Sequence, residues 1–225
     1  MPRRARVIVP GTAHHIIQRG NYQQYIFEHD KDYRTYLYLI DFYARKNGLK
    51  INAYCLMGNH VHFITTPTTS EGLSETFKNV HTRYSQYKNA QMRRIGHLWQ
   101  GRFYSCVLGP THLLRAIRYV EMNPVRARMV GRPWDYLWSS ARQHMKLERH
   151  PIVTTKFHEY CEDIGLSHTN WDRYLLENDM EMVQLMRSKT HSGLAIGDDN
   201  FISKLENLLG IIMRPKKAGR PRKNR

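Results

Sequence analysis

Two short apolar segments joined by a glycine and an asparagine constrain the fold of this chain most strongly. Leu49–Met57 and residues 60–66 have the length and composition of β-strands. The dipeptide between them, Gly58-Asn59, is suited to a tight turn. The sequence therefore predicts an antiparallel β-hairpin in the first half of the chain.

The segments on either side of this hairpin predict the rest of a sheet and its helices. Asp30–Lys46 carries apolar residues at steps of three and four, as an amphipathic helix requires. Residues 13–18 suit a first strand, residues 71–90 a second helix and residues 98–108 a fourth strand region. The order strand, helix, strand, strand, helix, strand is that of a ferredoxin-like or RRM-like layer. We therefore predict an α+β fold, an antiparallel sheet with helices on one face.

The pattern changes in the last third of the chain. Short helical segments are predicted over residues 170–187 and 200–209, and the final segment has no acidic and no large apolar side chain. Such a segment cannot bury a core, so we expect it to be disordered in isolation. The sequence thus predicts a domain over residues 1–147, a helical extension over 148–213 and a basic flexible tail over 214–225.

Charge points to the class of partner. The 225 residues include 35 Lys and Arg but only 19 Asp and Glu, a formal net charge of +16. A polyanion is the natural partner of such a surface. Apolar runs fall short of the roughly 18 residues of a membrane-spanning helix, and the first residues do not lead into a signal-peptide core. We therefore expect a nucleic-acid partner and no membrane association.

Cysteine usage indicates the compartment. Cys55, Cys106 and Cys161 are widely spaced, odd in number and never arranged as Cys-x-x-Cys. Neither a disulfide framework nor a zinc finger is indicated. A reducing, cytoplasmic location is the expectation.

His60-Val61-His62 follows the predicted turn and is a candidate metal site. Residues two apart in a strand project from the same face, so both imidazoles converge. Two neutral imidazoles can share a divalent cation. The chain has 13 histidines, so a chance pair that hydrogen-bonds the backbone is an open alternative.

A candidate nucleophile lies on the helix predicted after Pro110. Its apolar stripe comprises Leu113, Leu114, Ile117 and Val120. Tyr119 falls on a separate strip with Ala116 and Asn123. A phenol has a pKa near 10, so attack on a phosphodiester requires activation, which a nearby metal ion can provide. A packed tyrosine ring and an Asn123-Pro124 helix cap are the alternatives.

Three separated motifs resemble those of the REP-associated tyrosine transposases, which belong to the single-tyrosine HUH transposases. They are Asn59-His-Val-His-Phe63, Gly96-His-Leu-Trp-Gln-Gly-Arg-Phe103 and Arg118-Tyr-Val-Glu-Met-Asn-Pro-Val-Arg-Ala127. The similarity runs over about the first 145 residues. One departure is Arg128-Met129-Val130, where the family has a small residue and a glycine.

The resemblance implies both a site and a reaction. His60, His62 and Asn123 would bind Mg²⁺ or Mn²⁺, and Tyr119 would be the nucleophile in the catalytic domain 1–147. The reaction implied is cleavage of single-stranded DNA through a 5′-phosphotyrosine, with release of a 3′ hydroxyl, and rejoining by reversal. Palindromic repeats folded as hairpins are the implied substrate. A bacterial, nucleoid-associated protein, monomeric or homodimeric, is expected.

Basic residues interleaved with polar and aromatic ones suit DNA, because cations neutralise phosphates and rings stack on unpaired bases. A solvated helix face and a packed tryptophan are the alternatives. Two other function classes stay open: a repeat-binding regulator without cleavage, and a metal-dependent nuclease without a covalent intermediate. The candidate DNA contacts are Arg19, Asn21, Arg83, Arg94, Trp99, Arg102, Arg118, Arg220 and Arg222, and the helix around Arg83 adds His81, Tyr84, Tyr87 and Lys88.

Overall fold

The computed structural model describes residues 6–147, 152–153, 157, 161 and 170–214. An antiparallel sheet of four strands in the order β2-β3-β1-β4 forms its centre. The predicted hairpin is confirmed, because β2 pairs with β3 across Gly58-Asn59. The strands are β1 (Ala13–Arg19), β2 (Leu49–Met57), β3 (His60–Pro67) and β4 (Tyr104–Leu108).

Two long helices cover one face of the sheet. α1 (Asp30–Lys46) and α2 (Gly72–Met92) pack on alternate strand residues such as Ile16, Val61 and Phe63, all fully buried. These side chains share a face because strand residues alternate with a period of two. The predicted ferredoxin-like arrangement is confirmed.

The fourth strand is shorter than predicted. The sequence places it over residues 98–108, whereas β4 begins at Tyr104. Gly96 and Gly101 adopt φ values of 117° and 141°, which lie outside the extended strand region. The segment before β4 is therefore a loop. Its apolar residues Leu98 and Phe103 still pack into the core.

The other face of the sheet, called the α3 face below, is covered as well. Ala53, Cys55 and Ile64 on this face pack against Ile117 and Val120. The prediction placed helices on one face, but an apolar second face also has to be buried. The helices on this side are α3 (Leu113–Glu121), α4 (Asn123–Arg126), α5 (Ala141–His144), α6 (Trp171–Leu176) and α7 (Met180–Ser192). A further helix, α8 (Asp199–Leu209), packs with Val107 of β4 in a separate apolar cluster.

The predicted C-terminal extension contributes to this core. Trp171 of α6 and Met182 and Met186 of α7 are buried in the same cluster as α3. α7 contacts β1, β4 and α3. Residues 180–192 therefore lie against the central sheet. The predicted tail falls outside the described residues apart from Arg214.

A buried carboxylate ties α3 to later parts of the chain. Glu121, fully buried, accepts hydrogen bonds from Ser140 Oγ at 2.5 Å, His144 Nδ1 at 2.5 Å and Trp171 Nε1 at 3.2 Å. Buried carboxylates are stable only when their oxygens are satisfied in this way. The cluster therefore fixes the helix that carries Tyr119.

Three residues grouped with the DNA contacts, His81, Tyr84 and Lys88, are buried in the core instead. Lys88 is fully buried and pairs with Asp32 at 3.0 Å and Glu28 at 2.9 Å. Tyr84, also fully buried, donates a hydrogen bond to the carbonyl of Ile26 at 2.6 Å. The interpretation of His81, Tyr84 and Lys88 as DNA-facing is therefore wrong.

The three cysteines are buried free thiols. None of the described helices combines the length and apolar character needed to cross a membrane.

Buried histidines make the fold sensitive to acid. Burial lowers the pKa of His14 to about 4 and that of His81 to about 3, from an ordinary value near 6.5. Below pH 6.5 these histidines bind protons in the unfolded chain but not in the folded chain. The free energy of unfolding therefore falls as the pH falls from 6.5 towards 4. We expect the urea midpoint to be lower at pH 5 than at pH 7, and the loss to be smaller in His81→Gln. Equal midpoints at both pH values would contradict this.

Candidate active site

The two histidines of the His-x-His motif line one cavity with the predicted tyrosine. His60 and His62 project from β3 on the α3 face, with ring centroids 5.0 Å apart. Tyr119 and Asn123 border the same cavity, whose volume is about 430 Å³. The structure thus brings together the four residues that the sequence assigns to catalysis and metal binding.

Hydrogen bonds orient both imidazoles. His60 Nδ1 lies 2.6 Å from Asn59 Oδ1, and His62 Nδ1 lies 3.0 Å from His15 Nε2. The amide oxygen accepts, so His60 Nδ1 carries the proton and Nε2 retains a lone pair. His15 Nδ1 in turn lies 2.7 Å from Thr190 Oγ1. When His15 Nδ1 donates to Thr190, His15 Nε2 accepts from His62 Nδ1, and the Nε2 lone pair of His62 stays available for a ligand.

Burial keeps these imidazoles neutral. Loss of hydration is the main cause that lowers the pKa of His60 to about 4 and the pKa of His62 well below its ordinary value. Nearby positive charges act in the same direction. Neutral imidazole is the form that coordinates metals, so at neutral pH both side chains are in that form.

Tyr119 is a buried phenol flanked by two arginines. It is 7% exposed, and its ring meets those of His15 and His62 edge-on at 5.8 and 5.9 Å. The Arg126 guanidinium lies 4.4 Å from the ring centroid, and Arg187 lines the same cavity as Tyr119. Burial raises the pKa of Tyr119, while both arginines oppose that rise. A phenolate at this position would therefore be offset by two positive charges.

Asn123 lies one turn after Tyr119 and begins α4. Its Nδ2 donates to the carbonyl of Val120 at 3.1 Å, and its Oδ1 accepts from Arg126 Nη2 at 2.9 Å. The side chain does not cap α4. An amide oxygen has two lone pairs, so Oδ1 can hold Arg126 and still face a cation.

Several cavity residues were missed from the sequence. His15 comes from β1, and Met186, Arg187, Thr190 and His191 come from α7. His62 pairs with Ile17 of β1, and His15 lies two residues before Ile17 on the same face, so it comes beside His62. This strand register depends on residues far apart in the sequence. The cavity-facing residues of α7 have no motif and lie far along the chain. Local patterns therefore gave no signal for them.

The candidate DNA contacts differ in their surroundings. Arg19 lines the cavity, and Asn21 follows it in a short 3₁₀ turn. Trp99 is half-buried. Its Nε1 donates a hydrogen bond to the backbone carbonyl of His81 at 3.0 Å, and its indole packs on the His81 imidazole ring. The exposed members with described surroundings are Arg83, Arg94 and Arg102, whereas Arg220 and Arg222 lie outside the described residues.

Arg118 does not fit a phosphate contact. It is 7% exposed, pairs with Glu177 at 2.8 Å and Asp179 at 2.5 Å, and lies over the ring of Tyr174. Two carboxylates already neutralise its charge. We therefore correct the prediction: Arg118 joins α3 to the α6–α7 segment instead of facing DNA.

Comparison with known families agrees with this geometry. A family model described as IS200-like transposase matches residues 9–123, about half of the chain. The chain therefore belongs to the IS200-like transposase family. The match includes the two histidines, Tyr119 and Asn123, and ends before Arg126 and α7.

A solved transposase structure has a similar fold. A REP-associated tyrosine transposase bound to a REP hairpin is 18% identical and aligns over 69% of this chain and 92% of that chain, with a TM-score of 0.57. A candidate transposase from Deinococcus radiodurans is 14% identical and aligns over 67% and 100%, with a TM-score of 0.38. No curated protein matches the chain significantly.

Proposed function

We propose that this protein is a metal-dependent DNA strand transferase that cleaves and rejoins single-stranded DNA at hairpin-forming palindromic repeats. Tyr119 is the nucleophile and forms a 5′-phosphotyrosine. The observation that carries the proposal is the convergence of Tyr119 with His60 and His62 in one cavity. Membership of the IS200-like family supports it, as does the hairpin bound by the structural relative.

The donor set of the cavity fits a divalent ion. Nε2 of His60, Nε2 of His62 and Oδ1 of Asn123 would hold it. The described residues contain no cluster of three His, Cys, Asp or Glu side chains suited to a metal, so an amide is the natural third donor. When bound, Mg²⁺ or Mn²⁺ would polarise the scissile phosphate and leave positions for substrate.

The side chains of the cavity then account for the chemistry. Tyr119 Oη gives its proton to water in the cavity and bonds to phosphorus, while the bond from phosphorus to the 3′ oxygen breaks and that oxygen takes up a proton from water. Arg126 and Arg187 offset the negative charge on the phenol and the phosphate. Reversal of these steps rejoins the strands, because the phosphotyrosine conserves the bond energy. One protomer contains this whole set of residues, an arrangement compatible with a monomer and with a homodimer.

The proposed DNA surface combines the cavity rim with a basic flank. Arg19 and Asn21 lie at the rim, and Arg83, Arg94 and Arg102 are accompanied by Trp99. The tail residues Arg220 and Arg222 are proposed to add a flexible phosphate-binding arm. The proposed catalytic domain spans residues 1–147, with the helical extension over 148–213.

A denaturing gel tests this function against its two alternatives. The protein is incubated with Mn²⁺ and an end-labelled single-stranded hairpin from its own genome. We expect a labelled species that survives SDS, disappears on protease treatment and fails to form in excess EDTA. Cleavage without that species would indicate a nuclease that uses water. Binding without cleavage of any cognate hairpin would indicate a regulator.

A further inference from the structure

The loop between β1 and α1 presents an aromatic ring to solvent on a strained backbone. Tyr22 is 94% exposed, and both Tyr22 and Gln23 adopt left-handed conformations, with φ of 50° and 59°. Such a conformation is disfavoured for a non-glycine residue, because its Cβ approaches the backbone. Two successive strained residues that expose a tyrosine are not explained by core packing. Strain of this kind clusters at binding sites.

Hydrogen bonds hold this loop in place. The backbone N–H of Asn21 donates to the carbonyl of Leu98 at 2.8 Å, and that of Gln24 donates to the carbonyl of Asn21 at 2.9 Å. Asn59 Nδ2 donates to the carbonyl of Gln23 at 3.2 Å. Asn59 also contacts His60. Tyr22 is therefore anchored to the turn that carries the first histidine of the cavity.

The loop is bordered by positive charge. Arg19, three residues before Tyr22, lines the cavity, and its carbonyl accepts from the N–H of Gln100 at 2.9 Å. Gly20 forms a β-bridge with Trp99. The same 93–103 loop exposes Arg93 and Arg94. An exposed ring in a loop that pairs with a segment carrying exposed arginines suits a ligand that is both anionic and flat-faced, as a nucleotide is.

We propose that Tyr22 is a stacking platform for an unpaired base of the single strand that leads into the cavity. The ligand class is single-stranded DNA, since a paired base is already stacked within its duplex. The inference rests on the proposed function, because the strand must approach Tyr119. It adds a residue that recognises the strand beside the hairpin and takes no part in the chemistry.

Binding measurements separate this inference from the function on which it rests. Fluorescence anisotropy in buffer without metal measures the affinity of the protein for three labelled DNAs. They are a hairpin with a single-stranded 5′ flank, a hairpin with the same flank on the 3′ side and the blunt hairpin. We expect Tyr22→Ala to weaken binding of one flanked hairpin by about tenfold, the lower range for loss of one stacked base, and to leave the blunt hairpin unchanged. Tyr22→Phe should bind as the wild type does.

Two further variants serve as controls for folding and for the loss of an exposed tyrosine elsewhere. Tyr22→Asn removes the ring but tolerates the left-handed backbone, so it should behave as Tyr22→Ala does and exclude a folding defect. Tyr38→Ala removes an exposed tyrosine of α1 and should have no effect. Wild-type affinity of Tyr22→Ala for both flanked hairpins, or equal weakening on all three DNAs, overturns the inference. A wild-type protein that binds no hairpin contradicts the proposed function instead.

Discussion

Substitution of His62 by alanine is expected to abolish Mn²⁺ binding at the site and to reduce DNA cleavage about a hundredfold or more, the loss of several kcal/mol of metal-supplied stabilisation. His62 is buried on β3 between His15 and Tyr119. Removing one of two imidazole donors leaves a single imidazole and an amide. Hairpin affinity should change little, since it comes mainly from the basic surface.

Control variants distinguish loss of the metal ligand from a folding defect. His112 is on the same helical strip as Tyr119 but outside the cavity, so His112→Ala should retain metal binding and cleavage. His62→Leu preserves more of the buried volume and supplies no donor atom, so it should show the same loss if folding is not the cause. Isothermal titration with Mn²⁺ and a cleavage assay provide the measurements. Full cleavage in excess EDTA would overturn the metal-dependent mechanism.

Replacing Tyr119 by phenylalanine is expected to have the largest effect on the reaction and a small effect on the fold. The change deletes one oxygen at a cavity that Arg187 also lines, and it keeps the ring packed against His15 and His62. The free energy of unfolding should fall by no more than about 1 kcal/mol, the usual value of one hydrogen bond. Hairpin binding should persist, and both cleavage and the covalent species should disappear.

Tyr104→Phe is the control for this variant. Tyr104 lies at the start of β4, and its ring centroid is 4.6 Å from that of His191, which lines the cavity. Tyr104 is therefore a second tyrosine close to the site. We expect Tyr104→Phe to retain the covalent species. Cleavage by Tyr119→Phe at the wild-type rate would show that water or another tyrosine attacks.

The resemblance to the REP-associated tyrosine transposases supplied the predicted roles of the site residues, and local patterns predicted which of them share a face. The two-residue period of a strand puts His60 and His62 on one side, and the helical repeat puts Tyr119 and Asn123 on one strip. These are short-range properties that the neighbouring residues determine. The structure places all four side chains at one cavity.

Long-range pairing accounts for what the sequence did not reveal. Arg118 was read as a surface cation because its partners Glu177 and Asp179 are about 60 positions away. Lys88 was misread for the same reason, since Asp32 comes from another helix. Composition counts charges but cannot show which of them are buried and paired.

The contribution of α7 was hidden in the same way. Arg187 reaches the phenol of Tyr119 from beyond the segment that matches the family model, and Thr190 bonds His15. In this chain the C-terminal half therefore completes the cavity that the IS200-like segment begins.

Mapping the covalent species identifies the residue that attacks the DNA. The wild-type protein is mixed with Mn²⁺ and its cognate single-stranded hairpin, the SDS-resistant species is isolated, and protease and nuclease digestion is followed by mass spectrometry. We expect the nucleotide remnant, linked through a 5′ phosphate, on the peptide that contains Tyr119. A remnant on Tyr104 or another tyrosine, or cleavage that leaves no nucleotide on the protein, would contradict this expectation.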